Sequence, residues 1–275
     1  MISVLFNFLI IPILWNPGPE IFWEPDEMKG KVKYMLESHY YTSNNYSKVE
    51  LGFQNEYKFN KDGSVKSHTQ YDKEEQFRNE TILEYDKKSK KRLKAVERDK
   101  EGEITKVTDY KYDMNGRLSA EWVNFLNVSN HSYLDQVFGY DNRGNQIKLV
   151  VYNSKGEINH EGKYEFDENN KLVTAKMIST YYGKSRSSTT TNIRNDKGLV
   201  IERKRVNNGS EFDRHWTYKY DEFGNQVELK SFNEDGSLKL TQIDSYEYDD
   251  HNNWVKKITM DNVDTTITKR LIKYY

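Results

Sequence analysis

Chemistry in a chain of 275 residues is sought first in its histidines and carboxylates. The six histidines, His39, His68, His131, His160, His215 and His251, are spread along the chain. No two of them fall at metal-ligand spacing, so they read as surface or turn residues. Carboxylates recur behind aromatic residues, as in Tyr112–Asp113, Tyr140–Asp141, Tyr220–Asp221 and Tyr248–Asp249. Repeated acids could hold calcium, but the alternating acids of an EF-hand loop are missing. A carboxylate that accepts backbone N–H bonds inside a turn accounts for the same residue at the same place.

Other chemistry is weaker still. Residues 87–94 read KKSKKRLK. With no accompanying basic face, and near-zero net charge, they read as a solvated loop rather than a nucleic-acid contact. The GKS of residues 183–185 resembles the end of a phosphate loop, but Ile178 stands where its first glycine is needed. There is no cysteine and no Gly-x-Ser-x-Gly elbow. No catalytic residue, cofactor site or metal site is therefore assigned. The chain reads as a non-enzyme.

The elements that carry these residues follow from composition and spacing. Net charge is −1, from 42 basic and 43 acidic residues, which gives no bulk attraction for nucleic acid or an anionic membrane. Apolar residues make up only 35%, too few for a thick core. Yet 21 residues are tyrosine, and disordered chains are poor in aromatics. A thin sheet suits this mixture, with tyrosines that pack through the ring and keep the hydroxyl wet.

The aromatic-acid anchor recurs at Phe59, Tyr85, Tyr112, Tyr140, Phe166, Tyr220 and Tyr248, with a degenerate copy at Arg194. Successive spacings are 26, 27, 28, 26, 28, 26 and 28 residues, and 27 more reach Tyr275. A half-step of 12 residues, as from Tyr140 to Tyr152, divides each unit into strand, turn, strand, turn. Gly116, Gly144 and Gly224 each follow their acid by three residues. Aspartate opens a type I turn and glycine takes the left-handed position that closes it. "QIKLVVY" and "QVELKSF" alternate as strands do, with Ile147, Leu149 and Val151 on one face. The predicted fold is all-β: an antiparallel meander of about 16 short strands, in a curled or spiralling sheet. Two open ends would leave edges for self-association.

"YKYDEFGNQ", "YEYDDHNNW", "FGYDNRGNQ" and "YKYDMNGRL" resemble the YD repeats of Rhs-type bacterial surface and toxin-delivery proteins. The likeness covers residues 57–275. It implies strands of a curling sheet, which encloses a cargo toxin in long members, and a role at or outside the cell envelope. No Asp-Pro-x-Gly self-cleavage motif exists here, because all four prolines lie within the first 25 residues. The stand-alone form, without a toxin domain, is the nearer match, and eight units look too few to close a shell.

Residues 1–25 form an apolar, proline-containing segment, and residues 26–275 the repeat domain. The run ISVLFNFLIIPILW has the length of a signal-peptide core and is short for a membrane-crossing helix. No Lys or Arg precedes it and no small-residue cleavage site follows it. The expectation is a structural or binding repeat protein exported to the periplasm, cell surface or medium. Its partner would be a cell-wall glycan or a protein, with no nucleic acid and no cofactor. The alternative is a cytoplasmic immunity partner of a toxin.

Overall fold

The structure, a computed structural model, describes residues 28–43, 48–126, 131–181, 184–208, 213–262 and 264–275. The expected export segment lies outside the described residues. None of the described residues is helical. The strands are β1 (Val32–Ser43), β2 (Lys48–Phe59), β3 (Val65–Tyr71), β4 (Phe77–Tyr85), β5 (Arg92–Asp99) and β6 (Ile104–Tyr112). They continue as β7 (Leu118–Phe125), β8 (His131–Tyr140), β9 (Gln146–Tyr152), β10 (Ile158–Phe166), β11 (Leu172–Tyr181) and β12 (Lys184–Arg194). The last are β13 (Val200–Asn208), β14 (Asp213–Tyr220), β15 (Gln226–Phe232), β16 (Leu238–Tyr248), β17 (Trp254–Met260) and β18 (Thr265–Tyr274).

Each strand pairs antiparallel with the next, and β18 pairs with β1. The expected all-β antiparallel meander is present, with 18 strands where about 16 were expected, and the sheet closes into a barrel. The expectation missed β1 and β18, which supply a ninth unit. Neither has an aromatic-acid pair at the spacing of the others. Closure leaves neither end of the sheet as a free edge for self-association.

A β-bulge recurs where each anchor meets the following strand. Tyr112 pairs with Leu118 while Lys111 pairs with Ala120, so Ser119 is the extra residue. The same slip leaves out Ile147 between Tyr140 and β9, and Val227 between Tyr220 and β15. The extra residue at each anchor bends the strand and adds right-handed twist, which helps a meander of short strands to close, and further bulges follow Tyr71, Arg98, Tyr152 and Phe232. The slip at Tyr140 also takes Ile147 out of the alternation with Leu149 and Val151, and Ile147 is exposed.

The two faces differ. Met35, Tyr57, Leu83, Tyr110, Val123, Phe138, Tyr164, Tyr218 and Leu229 are buried. The register places them on one face: Met35 opposes Tyr57, Tyr57 opposes His68, and Tyr110 opposes Glu121. In a single-layer ring only the concave side crowds bulky side chains together, so this is the inner face. The core is thin. A main cluster runs from Val32 and Met35 to Ala95 and Tyr110, and a smaller one joins Tyr164, Leu172 and Ala175. The convex face carries ion pairs instead: Glu161–Lys163 at 3.9 Å, Glu202–Lys204 at 2.8 Å, Lys219–Glu228 at 3.1 Å and Glu247–Lys256 at 2.7 Å. Such exposed pairs add little stability. Their meaning is that this face meets water.

Candidate functional site

The anchors gather at one rim of the barrel. In residues 113–117 the Asp113 carboxylate accepts the backbone N–H of Asn115 at 2.9 Å and of Arg117 at 2.8 Å. The Arg117 backbone bond does most to hold that carboxyl below its ordinary range. Gly116 donates its N–H to the Asp113 carbonyl at φ +78. Asp141 with Gly144, and Asp221 with Gly224, repeat the arrangement. At Asp249 the left-handed position is held by Asn252. These acids are consumed by their own turns.

Each turn also grips its neighbours in the ring, through its tyrosine toward the preceding unit and through the residue after the glycine toward the following one. The Tyr112 and Tyr220 hydroxyls donate to the carbonyls of Arg92 at 2.8 Å and Val200 at 2.7 Å, and Tyr140 reaches Leu118 at 2.8 Å. Tyr248 donates instead to the Asp221 carboxylate and accepts from Asn225 Nδ2. Arg117 lies over the Tyr140 ring, 4.8 Å from its centroid, and donates to the Asp141 carbonyl. The residue after the glycine therefore holds the neighbouring turn. The structure brings Tyr112, Asp113, Gly116, Tyr140, Asp141, Gly144, Tyr220, Asp221, Gly224, Tyr248 and Asp249 to this rim, in ring order.

The concave face holds polar chemistry that the repeat signature does not announce. At the β18–β1 junction, Arg270 Nε donates to Glu37 at 2.7 Å and its guanidinium lies 3.3 Å from the centroid of Trp254. Burial alone would raise the Glu37 pKa, but His39 and Arg270 overcome it and leave it at about 2. His68 is buried against Tyr57, with Asn55 Oδ1 at 3.1 Å. It is not the surface residue expected, and burial lowers its pKa to about 4. Asp244, buried, pairs with Lys257 at 3.3 Å and accepts from Gln242. Farther round, burial and then Asp135 push Glu121 up to about 7, against Arg92 and Lys106.

A third group lies on β12–β14. The register places Lys184, Arg186, Arg194, Arg203, Arg205 and Arg214 on the concave side. Among the residues of β11 to β15 whose side chains are described, the register puts no Asp or Glu on that side, and Glu202 and Glu228 face outward. Arg205 stands directly opposite Arg214, and Arg203 opposite Trp216. Arg203 Nε donates to Asn192 Oδ1 at 2.9 Å. This cluster escaped the sequence reading, because alternate residues in RKR and RSSTTTN look like an ordinary charged strand until pairing reveals which side they share. The expected loop of residues 87–94 spans the turn after β4 and the start of β5, with Lys90 and Asp62 in contact at 3.4 Å.

No family model and no curated protein matches the chain. Among solved structures, a porin-like protein from Bacteroides uniformis aligns with TM-score 0.48 and 12% identity, over 90% of this chain and 98% of that one. A porin-like protein from Bacteroides vulgatus aligns with TM-score 0.40 and 11% identity, over 86% and 97%. The Photorhabdus luminescens Tc holotoxin pore aligns with TM-score 0.38 and 13% identity, over 88% of this chain and 13% of that one. All three scores are below 0.5, so nothing about ligand or compartment passes from them to this chain.

Proposed function

We propose that the protein is a non-enzymatic binding scaffold of YD-repeat type, exported to the envelope, which holds a glycan or protein ligand against its concave face. One observation carries this reading: large aromatic and aliphatic side chains crowd the concave face, while the convex face carries exposed ion pairs. The convex face carries Lys–Glu pairs such as Glu202–Lys204, with single exposed apolar residues such as Ile193 and Leu271 between them. A barrel that spans a lipid bilayer turns an apolar band outward, so this outer face suits water. The concave face keeps half-buried Tyr133, Trp216, Gln136 and Thr190 within reach of a ligand. The apolar opening of the chain supports the exported setting. The repeated Tyr-Asp-x-x-Gly turns support the kinship, and they build the ring without taking part in chemistry.

The test is a screen of cell-wall glycans and secreted proteins against the immobilised chain, in parallel with Tyr133→Ala on the concave face and Lys163→Glu on the convex face. Binding weakened by Tyr133→Ala and untouched by Lys163→Glu, with the ligand recovered unaltered, is the expected result. Sensitivity to Lys163→Glu alone would overturn the choice of face. New reducing ends in a bound glycan, lost in Glu121→Gln, would overturn the non-enzymatic assignment.

A further inference from the structure

We propose that Glu121, Asp135 and Gln136, with the stacked rings of Phe125 and Tyr133, form a subsite on the concave face for a neutral, hydroxyl-rich oligosaccharide. This deepens the reading of that face as a ligand surface and rests on it.

The first argument is a slip of register. Trp122 pairs with Leu134 and Glu121 with Gln136, so Asp135 is the extra residue of a bulge in the middle of β8. The other bulges among the described strands lie at strand ends, save one at Gly52. Gly52 has a packing reason, because a Cβ there would overlap the Tyr41 ring. At Asp135 the bulge re-aims a side chain instead. Gln136 faces inward opposite Glu121, and its Nε2 donates to Asp135 Oδ2 at 3.2 Å. The inserted residue thus sets a second carboxyl beside Glu121, where an unbroken ladder would leave only the amide.

The second argument is an unmet acceptor. Glu121 is 9% exposed, and among the described residues none donates a hydrogen bond to its carboxyl. Buried polar groups in native folds nearly always have a partner, so this one asks for a donor from outside. The charges that act on it are mixed: Asp135 repels it, while Arg92 and Lys106 attract it. A strongly charged ligand of either sign would therefore meet its own sign here. A metal ion is a poor occupant, since among the described residues no three metal-ligating side chains gather. Hydroxyls donate and accept without charge, and suit carboxyls that share a site with an amide and an ammonium.

The third argument is the shelf beside the carboxyls. Phe125 opposes Lys106 and Tyr133 opposes Val123, so both rings face inward. Their centroids are 6.3 Å apart and their planes 20° from parallel. Both rings are half-buried, and together they offer a flat apolar surface to the C–H face of a sugar. An apolar shelf with a few convergent polar groups is the usual make-up of a small-ligand site.

The experiment is calorimetric titration of the full chain with cellohexaose, laminarihexaose and mannohexaose. Glucosamine hexamer and oligogalacturonate are the charged controls, and each sugar is run at low and high salt. A neutral sugar is expected to bind equally at both salts, and to lose about tenfold in affinity in Glu121→Gln and in Asp135→Asn. Tyr110 and Lys106 on β6, Arg92 on β5, and Asp135 and Tyr133 on β8 face Glu121. In that setting affinity is expected to rise with pH through about 7, because a sugar hydroxyl donates to the ionised carboxyl. Glu121→Gln is expected to flatten that rise, which a merely structural role would not do. Both variants are expected to keep the parent's circular dichroism. Absence of binding by all three neutral sugars, or full affinity in both variants, would overturn the subsite. Tighter binding of either charged control, fading at high salt, would overturn the neutral assignment. A ligand lost in Tyr133→Ala but kept in Glu121→Gln and Asp135→Asn would sink this subsite and leave the broader reading standing. Binding indifferent to all three substitutions would sink both.

Discussion

The backbone N–H of Tyr275 donates to the carbonyl of Lys31 at 2.9 Å, the bond by which every aspartate turn of the anchor rim closes. In an intact turn Asp113 donates to Arg117 at 2.8 Å, and Asp249 to Asn253 at 2.9 Å. The likeness extends along the junction. Tyr274 pairs with Val32 and leaves out Lys33, as Tyr248 pairs with Trp254 and leaves out Val255. Gly30, at φ +80, takes the place that Gly116 takes at +78. Tyr274 donates to the Asp249 carboxylate as Tyr248 does to Asp221. Tyr274, not Tyr275, is thus the ninth anchor, and the β18–β1 junction is a repeat turn divided in two.

A circular permutant follows. In ring order Tyr275, Met28, Lys29, Gly30 and Lys31 match Asp113, Met114, Asn115, Gly116 and Arg117. A peptide bond from Tyr275 to Met28, with new ends between Asp235 and Gly236, is expected to give a monomer with the parent's circular dichroism. Opening that turn is tolerable because residues 234–236 are exposed. Failure to fold, in a permutant whose longer linker does fold, would refute the equivalence of the junction and the turns.

Hydroxyl deletion tests the grip of one unit on the next. Tyr112→Phe removes a bond to a backbone carbonyl and is expected to cost about 1 kcal/mol; Tyr248→Phe removes one to a carboxylate and is expected to cost about 2 kcal/mol. The two variants lie in distant turns, so their effects in urea denaturation should add to within about 0.5 kcal/mol. Tyr248→Phe combined with Asp221→Asn should cost less than the sum, since both delete the same contact. Strict additivity in that pair would deny the contact an energetic role.

Glycine at the turn's last position is required by conformation alone. A Cβ on Gly144 would meet nothing within 4 Å, yet φ there is +89. Gly144→Ala is therefore expected to cost about 1 kcal/mol with no packing contribution. Asn252 holds the same conformation at φ +59. Asn252→Gly is expected to gain a few tenths of a kcal/mol, read as a small rise in melting temperature. A gain from Gly144→Ala would refute the argument.

The fold was legible where local chemistry repeats. Asp113 and Gly116 announce their turn because a carboxylate acceptor and a left-handed residue are both needed within four positions. Asn170, Asn252, Glu75 and Lys90 adopt the same positive φ and were unreadable as turn ends, because tertiary pairing imposes on them what glycine offers freely. Closure was illegible for a different reason. It depends on Arg270 meeting Glu37 across 233 residues, and on a turn whose two halves lie at opposite ends of the sequence. The concave arginines were hidden by the bulges. Extra residues at the anchors and at several half-step turns shift the alternation, so facing cannot be carried along the chain by counting.

Three buried titratable groups on the concave face predict the pH dependence of stability, and their signs differ. Glu37 has a folded pKa of about 2, below its ordinary value of 4.5. Its contribution is complete above pH 4.5 and is lost as pH falls toward 2. His68 has a folded pKa of about 4 against 6.5, so the protein weakens as pH falls from 6.5 to 4 and the unfolded chain takes up the proton first. Glu121 runs the other way. Its folded pKa of about 7 exceeds 4.5, so its contribution is present below pH 4.5 and is lost as pH rises through 7. Each of these displacements corresponds to on the order of 3 kcal/mol. Between pH 4.5 and 6.5 His68 and Glu121 oppose each other, so the parent's melting temperature should be nearly flat there. Single variants separate them. His68→Gln should make the protein lose stability as pH rises from 4.5 to 7, and Glu121→Gln should make it gain stability over the same interval. Thermal melts at half-unit steps of pH read both slopes. Parallel slopes in the two variants would mean that neither group is buried on the concave face as the register requires.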